Sequence, residues 1–83
     1  MKVKVRYFAS LREALGAGET LDVGPASSVG ELRDVLLARS PAHGEALQRQ
    51  RALRCALNET LCDESAALSE GAEVAFFPPV TGG

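Results

Sequence analysis

Between Lys2 and Phe8 apolar and charged positions alternate without a break, with Val3, Val5 and Tyr7 on one side and Lys2, Lys4, Arg6 and Phe8 on the other. A period of two predicts a half-buried strand. Ser10-Leu11-Arg12-Glu13 then has the capping-box spacing, in which a hydroxyl and a carboxylate satisfy free N–H groups at a helix start. Leu11 and Leu15 share a face, and Gly16 and Gly18 end this short helix. Thr20 to Val23 alternates again, with Leu21 and Val23 inward and Gly24-Pro25 closing the run. The pattern predicts a hairpin between the two strands, with the helical turn inside its connection.

The next period is helical. Ser28-Val29-Gly30-Glu31 repeats the capping-box spacing, and Val29, Leu32, Val35 and Leu36 form an apolar stripe. Arg39 suits the negative end of this main helix, predicted over 29–39, and Pro41 marks its stop. Residues 44–51 predict a further short helix through Leu47, with Arg49 and Arg51 solvated. Leu53, Cys55 and Leu57 alternate with Arg54 and Ala56, giving a strand with Cys55 as a small core hydrophobe. Asn58-Glu59-Thr60 is a turn, and Leu61-Cys62 begins a short returning strand. Leu68 and Ser69-Glu70-Gly71 read as a helical turn, and Glu73 to Phe77 is the last strand.

The order strand, strand, long helix, then two or three strands fits an α+β fold. One mixed sheet of four to five strands packs on one main helix, a β-grasp, with the Val-rich first and last strands as central neighbours. The expected division is a β-grasp domain over 1–77 and a flexible C-terminal tail over 78–83.

Composition narrows the function. With 83 residues the chain has room for one hydrophobic core. An enclosed pocket of the ~300 Å³ or more that small molecules occupy would leave little of that core, which argues against an independent enzyme. The formal net charge of -2 gives no basic footprint for nucleic acid. Lys2, Lys4, Arg6, Arg12 and Glu13 interrupt any signal sequence, and no run approaches the ~20 apolar residues of a membrane span. A cytoplasmic protein is expected. Cys55 and Cys62 form no CxxC pair and read as thiols in a reducing compartment. A nucleophilic Cys62 would want a histidine nearby in sequence, and there is none. His43, beside Pro41 and Gly44, reads as a solvent-exposed loop residue, without the neighbours of a metal site.

The remaining chemistry lies at the end of the chain. Phe76 and Phe77 are strand formers, and Pro78 and Pro79 cannot donate to a ladder, so the strand should stop there and an extended segment begin. Six residues from Pro78 to Gly83 reach at most ~20 Å, enough to enter a partner's active site. Gly82 and Gly83 carry no Cβ and fit a channel as narrow as a backbone. A frayed end would also account for two terminal glycines, but the order of anchor, stiff lead and narrow tip favours a working tail. Its reactive group is the Gly83 α-carboxylate. Ionised at neutral pH, it is a poor electrophile until ATP converts it to an acyl-adenylate. Sulfur then displaces AMP to leave a thiocarboxylate, or an amine displaces it to leave an amide.

Three pieces carry a resemblance: the first strand running into Phe8-Ala9 and Arg12-Glu13, the run Gly71-Ala72-Glu73-Val74-Ala75-Phe76-Phe77, and the ending Pro78-Pro79-Val80-Thr81-Gly82-Gly83. Over its whole length the chain resembles the sulfur-carrier small subunits of molybdopterin synthase, ubiquitin-like β-grasp proteins. Carriers for thiazole formation also end in two glycines but usually lack the diphenylalanine–diproline lead and are shorter. The resemblance implies that a ubiquitin-activating-like adenylating enzyme consumes ATP to activate Gly83, and that a sulfur donor protein supplies a persulfide. The large synthase subunit, carrying the catalytic groups in a heterotetramer, then admits the tail. There the Gly83 thiocarboxylate attacks the cyclic pyranopterin precursor, and two transfers build the dithiolene that binds molybdenum. No cofactor is bound permanently. Partner contacts would fall on Phe8, Phe77, Pro78, Pro79, Val80, Thr81 and Gly82, although Phe8 and Phe77 could equally be covered by a loop. Sulfur carriage for thiazole or cysteine synthesis, and protein modification through Gly83, are the alternatives.

Overall fold

The computed structural model describes residues 1–24 and 27–79. Strand β1 (Lys2–Tyr7) follows the sequence alternation, with every second residue buried. Strand β2 (Gly18–Asp22) pairs with it antiparallel, Val3 opposite Leu21 and Val5 opposite Glu19. Gly18 is required here, because a Cβ at that position would collide with the Val5 carbonyl oxygen. Strands β3 (Arg54–Leu57) and β4 (Thr60–Cys62) form a second hairpin, turned by Asn58 and Glu59 at positive φ. Strand β5 (Glu73–Phe77) lies between the hairpins, parallel to β1 and antiparallel to β3, so the sheet runs β2-β1-β5-β3-β4. The first and last strands are central neighbours, as their apolar patterns predict.

Among the described residues three helices accompany the sheet: α1 (Ser10–Leu15), α2 (Val29–Leu37) and α3 (Pro41–Ala46). Val3, Val5, Tyr7, Val74 and Phe76 from the sheet join Val29, Leu32 and Leu36 from α2 in one buried cluster. Burying one such side chain contributes roughly 1.5–3 kcal/mol, so this contact dominates the fold. Among the described residues no helix is long and apolar enough to cross a membrane.

Several local expectations are corrected. The capping box at Ser28 and Glu31 forms, but the one read at Ser10 does not. Ala9 is the N-cap of α1, at φ 54° and ψ -130°, and no side chain caps this end. Leu11 N–H donates to the Phe8 carbonyl across that turn, which makes Ser10 the first helical residue. On α2, Val35 is 47% exposed whereas Arg33 is 3% exposed. Positions 29, 32, 33 and 36 are spaced i, i+3, i+4 and i+7, whereas 35 falls on a different face. Arg39 pairs with Glu19 on β2 at 2.7 Å instead of the helix end. Pro41 opens α3 as its first residue, with Ser40 as cap, because a missing N–H costs nothing there. Leu68 is buried without a helical turn, and residues 69–72 form a simple turn with Gly71 at φ 79°.

Candidate docking face and the root of the tail

Alternation puts one set of β1, β3, β4 and β5 side chains on the sheet face away from α2. Register makes a row of them: Leu61 opposite Ala56, Ala56 opposite Ala75, and Ala75 beside Arg6. The next row sets Phe77 opposite Arg54. Phe8 lies just past β1, where its N–H donates to the Phe76 carbonyl at 3.3 Å. The Arg6 guanidinium lies 5.5 Å from the Phe8 ring centroid, which holds the ring toward this face. Phe8 is 37% exposed and Leu61 63%, and Phe77, Pro78 and Pro79 are half-buried. An apolar strip therefore crosses the open face and ends where β5 gives way to Pro78.

The strip's flank is cationic. Lys2, Lys4 and Arg6 point outward from β1 and Arg54 from β3, on a chain whose net charge is negative. Glu73, opposite Lys4, answers part of this charge. Such a face fits an apolar partner surface edged with carboxylates, since opposite potentials steer encounter and fix register. A hollow of about 350 Å³ on the β1–β2 side is lined by Lys4, Arg6, Gly18, Thr20 and Glu73, among others, and lies open to solvent.

Of the site residues read from the sequence, the structure brings Phe8, Phe77, Pro78 and Pro79 to one region; Val80, Thr81, Gly82 and Gly83 lie outside the described residues. Phe8 is not covered by a loop. Leu61 was missed as a member of this face, although its place opposite Ala56 follows once the Asn58-Glu59 turn fixes the register.

His43 is a correction of another kind. It lies in α3 with its side chain 14% exposed, not in a solvated loop. Its Nε2 is 2.7 Å from Glu19 Oε2 and its Nδ1 is 2.7 Å from Ser40 Oγ. The order Ser–His–Glu invites comparison with a hydrolytic relay, but the ring is reversed, since in that relay Nε2 faces the serine. Ser40 Oγ also accepts the His43 backbone N–H as helix cap. Glu19 further accepts from Tyr7 Oη and pairs with Arg39. The cluster clamps α3 to β2.

Arg33 makes a second clamp. Its Nε donates to the Leu47 carbonyl at 2.8 Å, Nη2 to those of Gln48 and Arg51, and Nη1 to Glu64 at 2.7 Å. Glu64 is also paired with Arg49, and despite desolvation those two guanidinium groups hold its carboxyl below the usual range. Among the described residues no group of three or more His, Cys, Asp or Glu could hold a metal ion, and no buried side-chain nitrogen or oxygen lacks a partner.

Residues 5–83 match the ThiS family. The molybdopterin synthase sulfur carrier subunit of Escherichia coli (strain K12) is 41% identical, over 98% of this chain and 99% of that one. The small archaeal modifier protein 1 of H. volcanii superposes with a TM-score of 0.77 at 27% identity, covering 95% of this chain and 98% of its own. A protein–protein complex of subunits 1 and 2 of the molybdopterin-converting factor from Helicobacter pylori 26695 contains a chain that matches with a TM-score of 0.69 at 28% identity, all of both chains being covered.

Proposed function

The chain belongs to the ThiS family, and from that membership we propose that it is the sulfur carrier of molybdenum cofactor biosynthesis, acting as the small subunit of molybdopterin synthase. The observation that carries this reading is end-to-end similarity to the E. coli sulfur carrier subunit, together with a tail rooted on the central strand β5.

In this reading an adenylating enzyme transfers AMP from ATP to the Gly83 carboxylate, releasing pyrophosphate. The outer sulfur of a donor-protein persulfide then attacks the acyl carbon and AMP leaves; a thiol attacks the donor-side sulfur of the resulting acyl disulfide, forming a disulfide there and releasing Gly83 as a thiocarboxylate. The loaded carrier docks on the large subunit, and the thiocarboxylate sulfur attacks the pyranopterin precursor. Acid–base groups belong to the large subunit in this reading, because among the described residues the face around the root offers apolar and cationic side chains beside Glu73. In this reading the chain needs no metal or organic cofactor of its own, and the whole cycle is cytoplasmic.

The apolar strip of Phe8, Leu61 and Phe77 meets the large subunit, and Lys4, Arg6 and Arg54 meet carboxylates around it. The Helicobacter pylori complex supports a partner of this kind. Docking leaves the sheet unchanged, since a paired central strand gives a rigid root.

Intact mass decides the matter. After incubation with adenylating enzyme, ATP and a sulfur source, the chain should gain the difference between one sulfur and one oxygen. An unchanged mass, with the enzyme shown active on a reference carrier, ends the proposal. A second reading, protein modification through Gly83, is favoured by the likeness to an archaeal modifier. It predicts slower-migrating adducts on lysines of other proteins.

A further inference from the structure

Cys55 and Cys62 are direct cross-strand partners in the β3–β4 ladder. Both are free thiols, with Cys55 buried and Cys62 partly exposed. Their sulfurs are 3.7 Å apart, and Cys55 Sγ also donates to the Cys62 carbonyl at 3.4 Å. Opposed residues of an antiparallel pair have Cα atoms about 4.5–5.5 Å apart, within the roughly 4.4–6.8 Å that a disulfide spans. Rotation of the two side chains can therefore close the remaining gap with the backbone in place. The two positions also differ in access: solvent reaches Cys62 first, and Cys55 waits behind it against Phe76.

We propose that Cys62 and Cys55 form a reversible dithiol–disulfide site, with Cys62 as the attacking thiol, Cys55 as the resolving thiol, and low-molecular-weight disulfides as the oxidant. The Cys62 thiolate attacks one sulfur of the oxidant and expels one small thiolate, leaving a mixed disulfide. Cys55 then loses its proton to solvent and attacks the Cys62 sulfur, and the second small thiolate leaves. Two electrons pass from the protein to the oxidant, and one sulfur–sulfur bond replaces another. Burial, with the neighbouring Cys62 adding to it, pushes the Cys55 thiol of the dithiol up to about 12, and because burial persists in the mixed disulfide the second step accelerates as the pH rises. The product ties β4, an edge strand of three residues, to β3 beside the exposed Leu61. The dithiol site works independently of sulfur carriage.

The test equilibrates the full chain in mixtures of reduced and oxidised glutathione, alkylates remaining thiols under denaturing conditions, and reads intact mass. The expected product has lost two hydrogens, carries no alkyl group and melts several degrees higher than the dithiol. Cys55→Ala should instead keep one glutathione on Cys62. Three results would each overturn the proposal: a wild-type chain that retains glutathione, one that forms covalent dimers, or one that stays a dithiol while a reference dithiol in the same buffer is oxidised.

Discussion

Tyr7 Oη donates to Glu19 Oε2 at 2.7 Å, so the inward face of β1 ends on a carboxylate carried by β2. Burial, reinforced by the hydrogen bond to Glu19, raises the Tyr7 phenol above its ordinary range, and Tyr7 remains a donor at every pH where the fold is used. Glu19 is desolvated too, but His43, Tyr7 and Arg39 together hold its carboxyl below the usual 4.5. A carboxyl depressed in the folded state contributes stability above its unfolded value and loses it as the pH falls through the folded one. Glu19→Gln should therefore melt below wild type near neutrality, and the gap should narrow as the pH drops from about 5 to about 3. Thermal melts of both chains across that interval check this; a constant gap would separate Glu19's contribution from its charge.

Arg33 should tolerate replacement poorly. Arg33→Leu keeps an apolar volume inside but strips partners from the carbonyls of Leu47 and Gln48 and removes the buried guanidinium that faces Glu64. Glu64 keeps Arg49 as a partner, but a buried carbonyl left without its donor costs about 1–3 kcal/mol. Urea unfolding should report a loss of that order, with the chain still folded in water. A loss under ~1 kcal/mol would mean that water takes over the stranded carbonyls.

Leu61→Ser should leave stability within about 0.5 kcal/mol of wild type, because the side chain is already in solvent. Its affinity for the large subunit should fall about tenfold, or ~1.4 kcal/mol, with Phe8→Ala falling further, as aromatic anchors do. Titration calorimetry against the purified large subunit measures both. Unchanged affinity in both variants would move the docking face elsewhere.

Deleting Gly83 should abolish formation of the thiocarboxylate while the melting temperature stays that of the intact chain. A strain lacking the gene should fail to grow on nitrate as respiratory acceptor, since nitrate reduction requires molybdenum cofactor, and the wild-type gene but not the deletion should restore growth. Normal growth of the deleted strain would point to another pathway.

Much of this architecture is legible in the residues because β1 alternates strictly, and a period of two leaves only one choice of inward face. The parallel pairing of β1 with β5 follows from the single long helix between the hairpins. Side chains that break the binary code were harder to read. Arg33 occupies an inward position of α2, and an arginine there is invisible to a search for apolar stripes until its carbonyl partners, 14 to 18 residues away, are in place. His43 was misread for the same reason, since its partner Glu19 lies 24 positions upstream. The start of α1 was displaced because Ala9 adopts a backbone conformation normally left to glycine. Local spacing reports local bonds, and each of these residues is fixed by a distant one.

The position of β5 also orders events in time. Ribosomes make this strand last of the five, yet it is the piece that joins the β1–β2 hairpin to the β3–β4 hairpin. Two-stranded hairpins alone are marginal in water. A nascent chain thus remains two loose halves until Glu73–Phe77 emerges, and any product cut short before that strand is left to proteases. Closure of the sheet thus comes last, and with it the burial of Val74 and Phe76.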